Sequence, residues 1–288
     1  MKIKIIISVL SIFLFANATL AADNCYEFIQ QEQGISIAIT VSGLETRALL
    51  NTSLMPIWMS RTLADKLSLE IEAAPAGGGR RGSMPRLDSV NDVPIEVFDQ
   101  SMNMDQMFVR DIPGEMIGLS VLNFKELLVQ IDYPQSNICF LPRASMDLEG
   151  AQNINMRSAT TGAPAIEVSL NAGATVWLEL QIDSPAALSI DYQLARDLNF
   201  IDEVDATGQH ASLTATAETL QLGPFDLGNI AVAFPAEATR KRQMSRGVMR
   251  ATSGRRGVET HGAVGHEIFK HFVLTIDFKE EHMHIWAP

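Results

Sequence analysis

The sequence predicts an all-β protein built from two related halves. Three observations carry that expectation. Short runs of β-branched and apolar residues are bounded by Gly, Pro, Asn and Asp, and few stretches keep a helical period. Several segments of the first half return in the same order in the second. The composition, 47% hydrophobic and 19% charged over 288 residues, supports a sizeable core and argues against disorder.

The chain opens with a segment that does not belong to that core. Lys2 and Lys4 precede an apolar run from Ile5 to Phe15, followed by small residues through Ala16, Ala18, Thr19, Ala21 and Ala22. This is a secretory signal pattern over residues 1–22, with cleavage expected after Ala21 or Ala22. The run is shorter than the roughly 20 apolar residues a bilayer span needs, so a membrane anchor is the weaker reading. No later run is long enough either. Asp23 and Asn24 stand before Cys25 and spoil a lipoprotein-type pattern. The expected product is a soluble exported protein, periplasmic in a Gram-negative cell. Losing two lysines takes its formal charge from −12 to −14. Such an acidic chain is a poor partner for nucleic acid, whose phosphates require the opposite sign. The two cysteines, Cys25 and Cys139, favour a disulfide in an oxidising compartment, and two separate thiols are the alternative.

Strands are expected at Val93–Phe98, Met107–Val109, Leu127–Ile131, Ile138–Leu141, Leu213–Thr216, Leu220–Leu222 and Val273–Ile276. Short helices fit Ser60–Leu67 and Asp191–Leu198, each opening on a capping residue with apolar positions at i, i+3 and i+4. Two more fit Val121–Leu127 and Glu267–His271. Pro142 to Pro164 is polar and loop-like and reads as the connection. The resulting division is an N-terminal lobe over 23–145, a linker over 146–163 and a C-terminal lobe over 164–288.

The echo between the halves is specific in its order. Ala48-Leu49-Leu50-Asn51-Thr52-Ser53 is matched by Leu180-Gln181-Ile182-Asp183-Ser184-Pro185. Arg61–Leu67 is matched by Tyr192–Leu198, and Met116-Ile117-Gly118 by Ala263-Val264-Gly265. The tails match best, Leu128-Val129-Gln130-Ile131-Asp132-Tyr133 against Val273-Leu274-Thr275-Ile276-Asp277-Phe278. Asn51 and Asp183 fall at corresponding places.

This order of parts resembles the aspartic peptidases of the pepsin and retropepsin type, over roughly residues 35–141 and 165–286. The resemblance implies two pseudo-symmetric acid-protease-like β-barrel lobes with a central cleft. It implies that Asn51 and Asp183 hold the positions of the catalytic dyad, and that Thr52, Ser53, Ser184 and Pro185 complete the two active-site loops. In that family two neighbouring carboxylates share one proton; one activates water while the other polarises the scissile carbonyl. Asn51 can donate or accept hydrogen bonds but can be neither the acid nor the base. The third loop positions depart as well, since Ser53 adds a side chain and Pro185 removes an N–H and fixes φ. The implied function is a catalytically impaired homologue that binds an extended peptide or unfolded protein segment in the cleft and needs no cofactor. An active endopeptidase using Asp183 in an atypical site is the first alternative. A structural, envelope-associated protein with a closed cleft is the second.

Other features carry less. The basic run Arg240, Lys241, Arg242, Arg246, Arg250, Arg255 and Arg256, like the smaller Arg80, Arg81 and Arg86, reads as solvated loops before it reads as a cationic rim. His282 and His284 share a strand face near His261, His266 and His271, but no spacing matches a zinc pattern. Gly118-Leu119-Ser120 lacks the second glycine of a nucleophile elbow. Met102, Met104 and Met107 read as strand packing rather than a copper site.

Overall fold

The computed structural model describes residues 24–31, 34–53, 57–73, 87–171, 173–201, 212–235 and 257–288. The first half runs β1 (Asn24–Gln31), β2 (Gly34–Val41), β3 (Leu44–Asn51), β4 (Trp58–Ser60), α1 (Arg61–Lys66), β5 (Ser89–Val97), β6 (Gln100–Arg110), β7 (Met116–Ser120), β8 (Leu128–Asp132) and β9 (Asn137–Leu141). A one-turn helix, α2 (Leu148–Ala151), follows. The second half runs β10 (Ile154–Ser158), β11 (Pro164–Leu170), β12 (Ala174–Gln181), β13 (Leu188–Ile190), α3 (Tyr192–Asp197), β14 (Ser212–Leu222), β15 (Phe225–Pro235), β16 (Gly262–Gly265), α4 (His266–Phe269), β17 (Val273–Asp277) and β18 (His282–Trp286).

The pairing shows why the sequence echoes itself. In the first lobe β2 pairs β3, β3 pairs β7, β7 pairs β4, β4 pairs β6, β6 pairs β5, and β5 returns to β2. That ring closes a barrel, and the second lobe repeats it through β11, β12, β16, β13, β15 and β14. The architecture is all-β, with two pseudo-symmetric barrel lobes about a central cleft. Each barrel is filled from alternate strand positions. Ile35, Ile37, Ile39 and Val41 of β2 and Ile166, Val168 and Leu170 of β11 all point into buried space.

The lobes meet in one six-stranded antiparallel sheet, ordered β1, β9, β8, β17, β18, β10. A disulfide joins Cys25 to Cys139 where β1 and β9 face each other. On the far side of the junction Arg143 sends Nε and Nη2 to Oδ2 of the buried Asp277, at 2.8 and 2.6 Å. Backbone N–H groups of Lys279 and Glu280 donate to the other oxygen at 3.0 Å. The buried charge is thereby fully hydrogen-bonded.

The helices α1 and α3 begin as their capping residues dictate. Ser60 Oγ accepts from Leu63 N–H at 3.3 Å and Asp191 Oδ1 from Leu194 N–H at 2.7 Å. Both end on a left-handed residue, Ser68 and Asn199.

Some expectations are corrected. The run 142–164, read as loop-like, holds a 3-10 turn, α2 and strand β10. Ile154 and Met156 alternate with polar neighbours and are buried at 2% and 4% exposure, so this short segment meets the strand pattern despite its polar setting. Leu213–Thr216 and Leu220–Leu222 are one continuous strand, with Ala217 buried between them and Glu218 and Thr219 exposed. The helix expected at Val121–Leu127 is a 3-10 turn over Val121–Phe124, and that at Glu267–His271 starts one residue earlier as α4.

Candidate functional site

In each lobe the chain leaves one strand, crosses over a middle strand and pairs with that strand's other side. Strand β7 lies between β3 and β4, and β16 lies between β12 and β13. The crossing loops carry Asn51-Thr52-Ser53 and Asp183-Ser184-Pro185. The register makes the two places equivalent. Leu49 faces Gly118 as Gln181 faces Gly265, and two residues further on stand Asn51 and Asp183.

Both glycines are there because the crossing is tight. A Cβ on Gly118 would lie 2.0 Å from the Trp58 indole. One on Gly265 would lie 2.0 Å from the Ala186 carbonyl oxygen and 2.8 Å from that of Ser184. Neither gap admits a methyl group.

The first loop is closed on itself. Asn51 is 5% exposed, and its Oδ1 accepts from the Ser53 N–H at 3.1 Å and the Ser53 hydroxyl at 2.9 Å. The Ser53 backbone and hydroxyl thus both engage the Asn51 amide oxygen. Thr52 is fully buried and its hydroxyl donates across the lobe boundary to the Leu180 carbonyl, three residues before Asp183. This bond ties the first loop to the strand that leads into the second.

The second loop holds its carboxyl differently. Asp183 is half-buried, and burial pushes its carboxyl above the ordinary range, partly offset by a hydrogen bond from its own backbone. Gly34, at φ +109°, runs so close that a Cβ there would sit 2.7 Å from the Asp183 Cα. Ser184 gives its carbonyl to the His266 N–H at 2.9 Å, and Pro185 is exposed at the loop's outer edge.

Two further groups adjoin the second loop and were not singled out by their sequence roles. Tyr133 and His266 are 1% and 5% exposed, with ring centroids 5.5 Å apart. The available sequence signal was positional: Tyr133 ends the closing strand motif and His266 follows Gly265 directly. Other histidines serve structure. His261 Nδ1 lies 3.1 Å from Asp191, and His284 Nδ1 lies 2.6 Å from the Ala151 carbonyl. The basic runs at 80–86 and 240–256, like the segment 1–22, lie outside the described residues.

The chemistry this arrangement supports is limited by its donors and acceptors. The second loop contributes a titratable carboxyl and the first an amide. A lone carboxyl ionises as one group, whereas a coupled pair would divide a single proton.

No family model matches the chain, and no curated protein matches it in sequence. Solved structures do. The chain is similar to an aspartic proteinase from Irpex lacteus, with a TM-score of 0.53 and 9% identity over 93% of this chain and 98% of that one. A basic 7S globulin from soybean has a TM-score of 0.47 and 8% identity, over 91% of this chain and 94% of that one. Conglutin gamma, a basic 7S globulin from lupine seeds, has 0.47 and 8%, over 93% and 96%. The likeness to the Irpex enzyme shows an aspartic-protease-like fold, and at this identity it shows the fold alone.

Proposed function

We propose that this chain is an exported, catalytically impaired aspartic-peptidase-like protein that holds an extended peptide or unfolded protein segment between its lobes. One observation carries the reading. Asn51 occupies the place equivalent to Asp183, and its carbonyl oxygen is committed to Ser53. A water molecule at such a site meets one carboxyl and no acid partner to polarise a peptide carbonyl.

Binding outlives chemistry on this reading because the supports of the site are kept. The Thr52 bridge and the two close-approach glycines still fix the loops. An extended segment is the natural guest of a cleft between β-lobes, since strand addition supplies main-chain hydrogen bonds and alternate side chains enter pockets. Export is supported by the signal pattern at residues 1–22 and by the Cys25–Cys139 disulfide, a bond that persists in oxidising compartments.

The test is binding of fluorescein-labelled peptides from denatured casein to the mature chain, followed by anisotropy. Saturable binding with peptides recovered intact supports the proposal. Absence of binding overturns it in favour of a closed-cleft structural role.

A further inference from the structure

A cleft on the second lobe shares no lining residue with the loops of Asn51 and Asp183. Strand β10 makes it by changing partners. It pairs β18 at Ile154 and Asn155, then β11 from Met156 to Ser158. The sheet shared by the lobes and the barrel of the second lobe meet there, around a cavity of about 340 Å³. That is the small end of the roughly 300–1,000 Å³ range of ligand pockets, with room for one or two small rings.

The register lines up four side chains across four strands. His282 of β18 faces Asn155 of β10, and Glu167 of β11 faces Trp177 of β12. The Asn155 amide closes the row, donating to Glu167 Oε2 at 2.6 Å. Trp177 is half-buried, so part of its indole is held in the lobe while part lines the cleft. The rim is fixed as well. Glu281 Oε1 accepts from the Ser158 N–H at 2.8 Å and from the Ser158 hydroxyl at 2.6 Å. Arg157 lies 3.7 Å from the other Glu281 oxygen, and Glu280 is held by Arg143 at 3.1 Å. Groups already held in place lose little freedom when a ligand arrives.

The chemistry of the lining selects its guest. Donors from Gln152, Arg157 and His282 mix with the carboxylates of Glu167, Glu280 and Glu281 around one flat indole. A cation needs acceptors alone, and Arg157 opposes it. An anion needs donors alone, and the three carboxylates oppose it. A hydroxyl both donates and accepts, so a polyhydroxyl ring uses the whole set. A hexopyranose with equatorial hydroxyls also carries axial C–H bonds on its two faces, and these suit the negative face of an indole.

We propose that this cleft is a saccharide-binding site. Trp177 is the platform for one face of a neutral hexopyranose, and Glu167, oriented by Asn155, accepts hydrogen bonds from its hydroxyls.

Isothermal titration calorimetry of the mature chain with cellotetraose and chitotetraose tests this, with trigalacturonate and tetralysine as charged controls. Saturable binding of at least one neutral tetrasaccharide is expected, weakened roughly tenfold or more in Trp177→Ala. Asn155→Ala, at an exposed position, is expected to weaken it roughly threefold or more with an unchanged melting temperature. Should Trp177→Ala fail to fold, Asn155→Ala still carries the test. No binding of either tetrasaccharide, or binding that the variants leave untouched, overturns the proposal. Preference for trigalacturonate overturns it too, as does preference for tetralysine, which would make the cleft a site for basic peptides.

Discussion

Gln130 donates its side-chain amide to the Thr275 hydroxyl at 3.1 Å, and the two residues are each other's counterparts in the repeat. Leu128–Tyr133 aligns with Val273–Phe278, which places Gln130 against Thr275. The β8–β17 register then sets those same two residues face to face. The axis relating the lobes therefore passes through this pair. Thr275 is 1% exposed, so Thr275→Val leaves the Gln130 amide without its partner at the centre of the six-stranded sheet. The expected cost is about 1 kcal/mol in urea unfolding, with an unchanged slope.

Asp183 gives a pH prediction with a definite sign. Its folded-state pKa is raised by burial, so the native chain holds this proton more firmly than the unfolded one. Stability from this group is full below the unfolded value, near 4, and falls as pH rises through the raised folded value. Asp183→Asn removes that loss. The variant is expected to be more stable than wild type at pH 7, with the difference closing below about pH 4 in thermal melts. A variant less stable at pH 7 would show that the carboxylate is held by favourable partners instead.

Arg143 and Asp277 should matter far more than the surface pairs. Arg143→Ala leaves a 7%-exposed carboxylate with backbone donors only, and is expected to cost about 2 kcal/mol or more. Lys66→Ala breaks a 2.5 Å bond to Glu115 between side chains 46% and 42% exposed, and should change stability by under about 1 kcal/mol. Chemical denaturation of both variants checks the contrast.

The glycines of the two middle strands, Gly118 in β7 and Gly265 in β16, are expected to differ. An added methyl at Gly118 meets a side chain, that of Trp58; at Gly265 it meets the backbone of Ala186. Gly118→Ala should cost about 1–3 kcal/mol, and Gly265→Ala clearly more, seen as a lower melting temperature or loss of soluble protein. Equal effects would contradict the assignment of the clashes.

Much of this fold was legible because duplication leaves two copies of every signal. The tails, the helices after Ser60 and Asp191 and the Gly118 and Gly265 segments each repeat, and the structure gives matching segments matching partners. The position of Asn51 was legible for the same reason, through its match to Asp183 in the repeat. What escaped was set by contacts between distant segments. The sequence does not reveal that Gly34 lies on Asp183, or that Tyr133 and His266 meet beneath the second loop, because those neighbours are more than a hundred residues apart. Strand β10 escaped because its two buried residues, Ile154 and Met156, stand in a polar stretch.

The claim that Asp183, with Asn51 at the equivalent place in the other lobe, supports binding without cleavage is tested most directly by proteolysis itself. The mature chain and Asp183→Asn are incubated with denatured casein from acid to neutral pH, and new peptide termini are counted by mass spectrometry. The expected result is no termini above background in either protein at any pH. Cleavage by the wild type that disappears in Asp183→Asn would contradict it and make the chain a working peptidase.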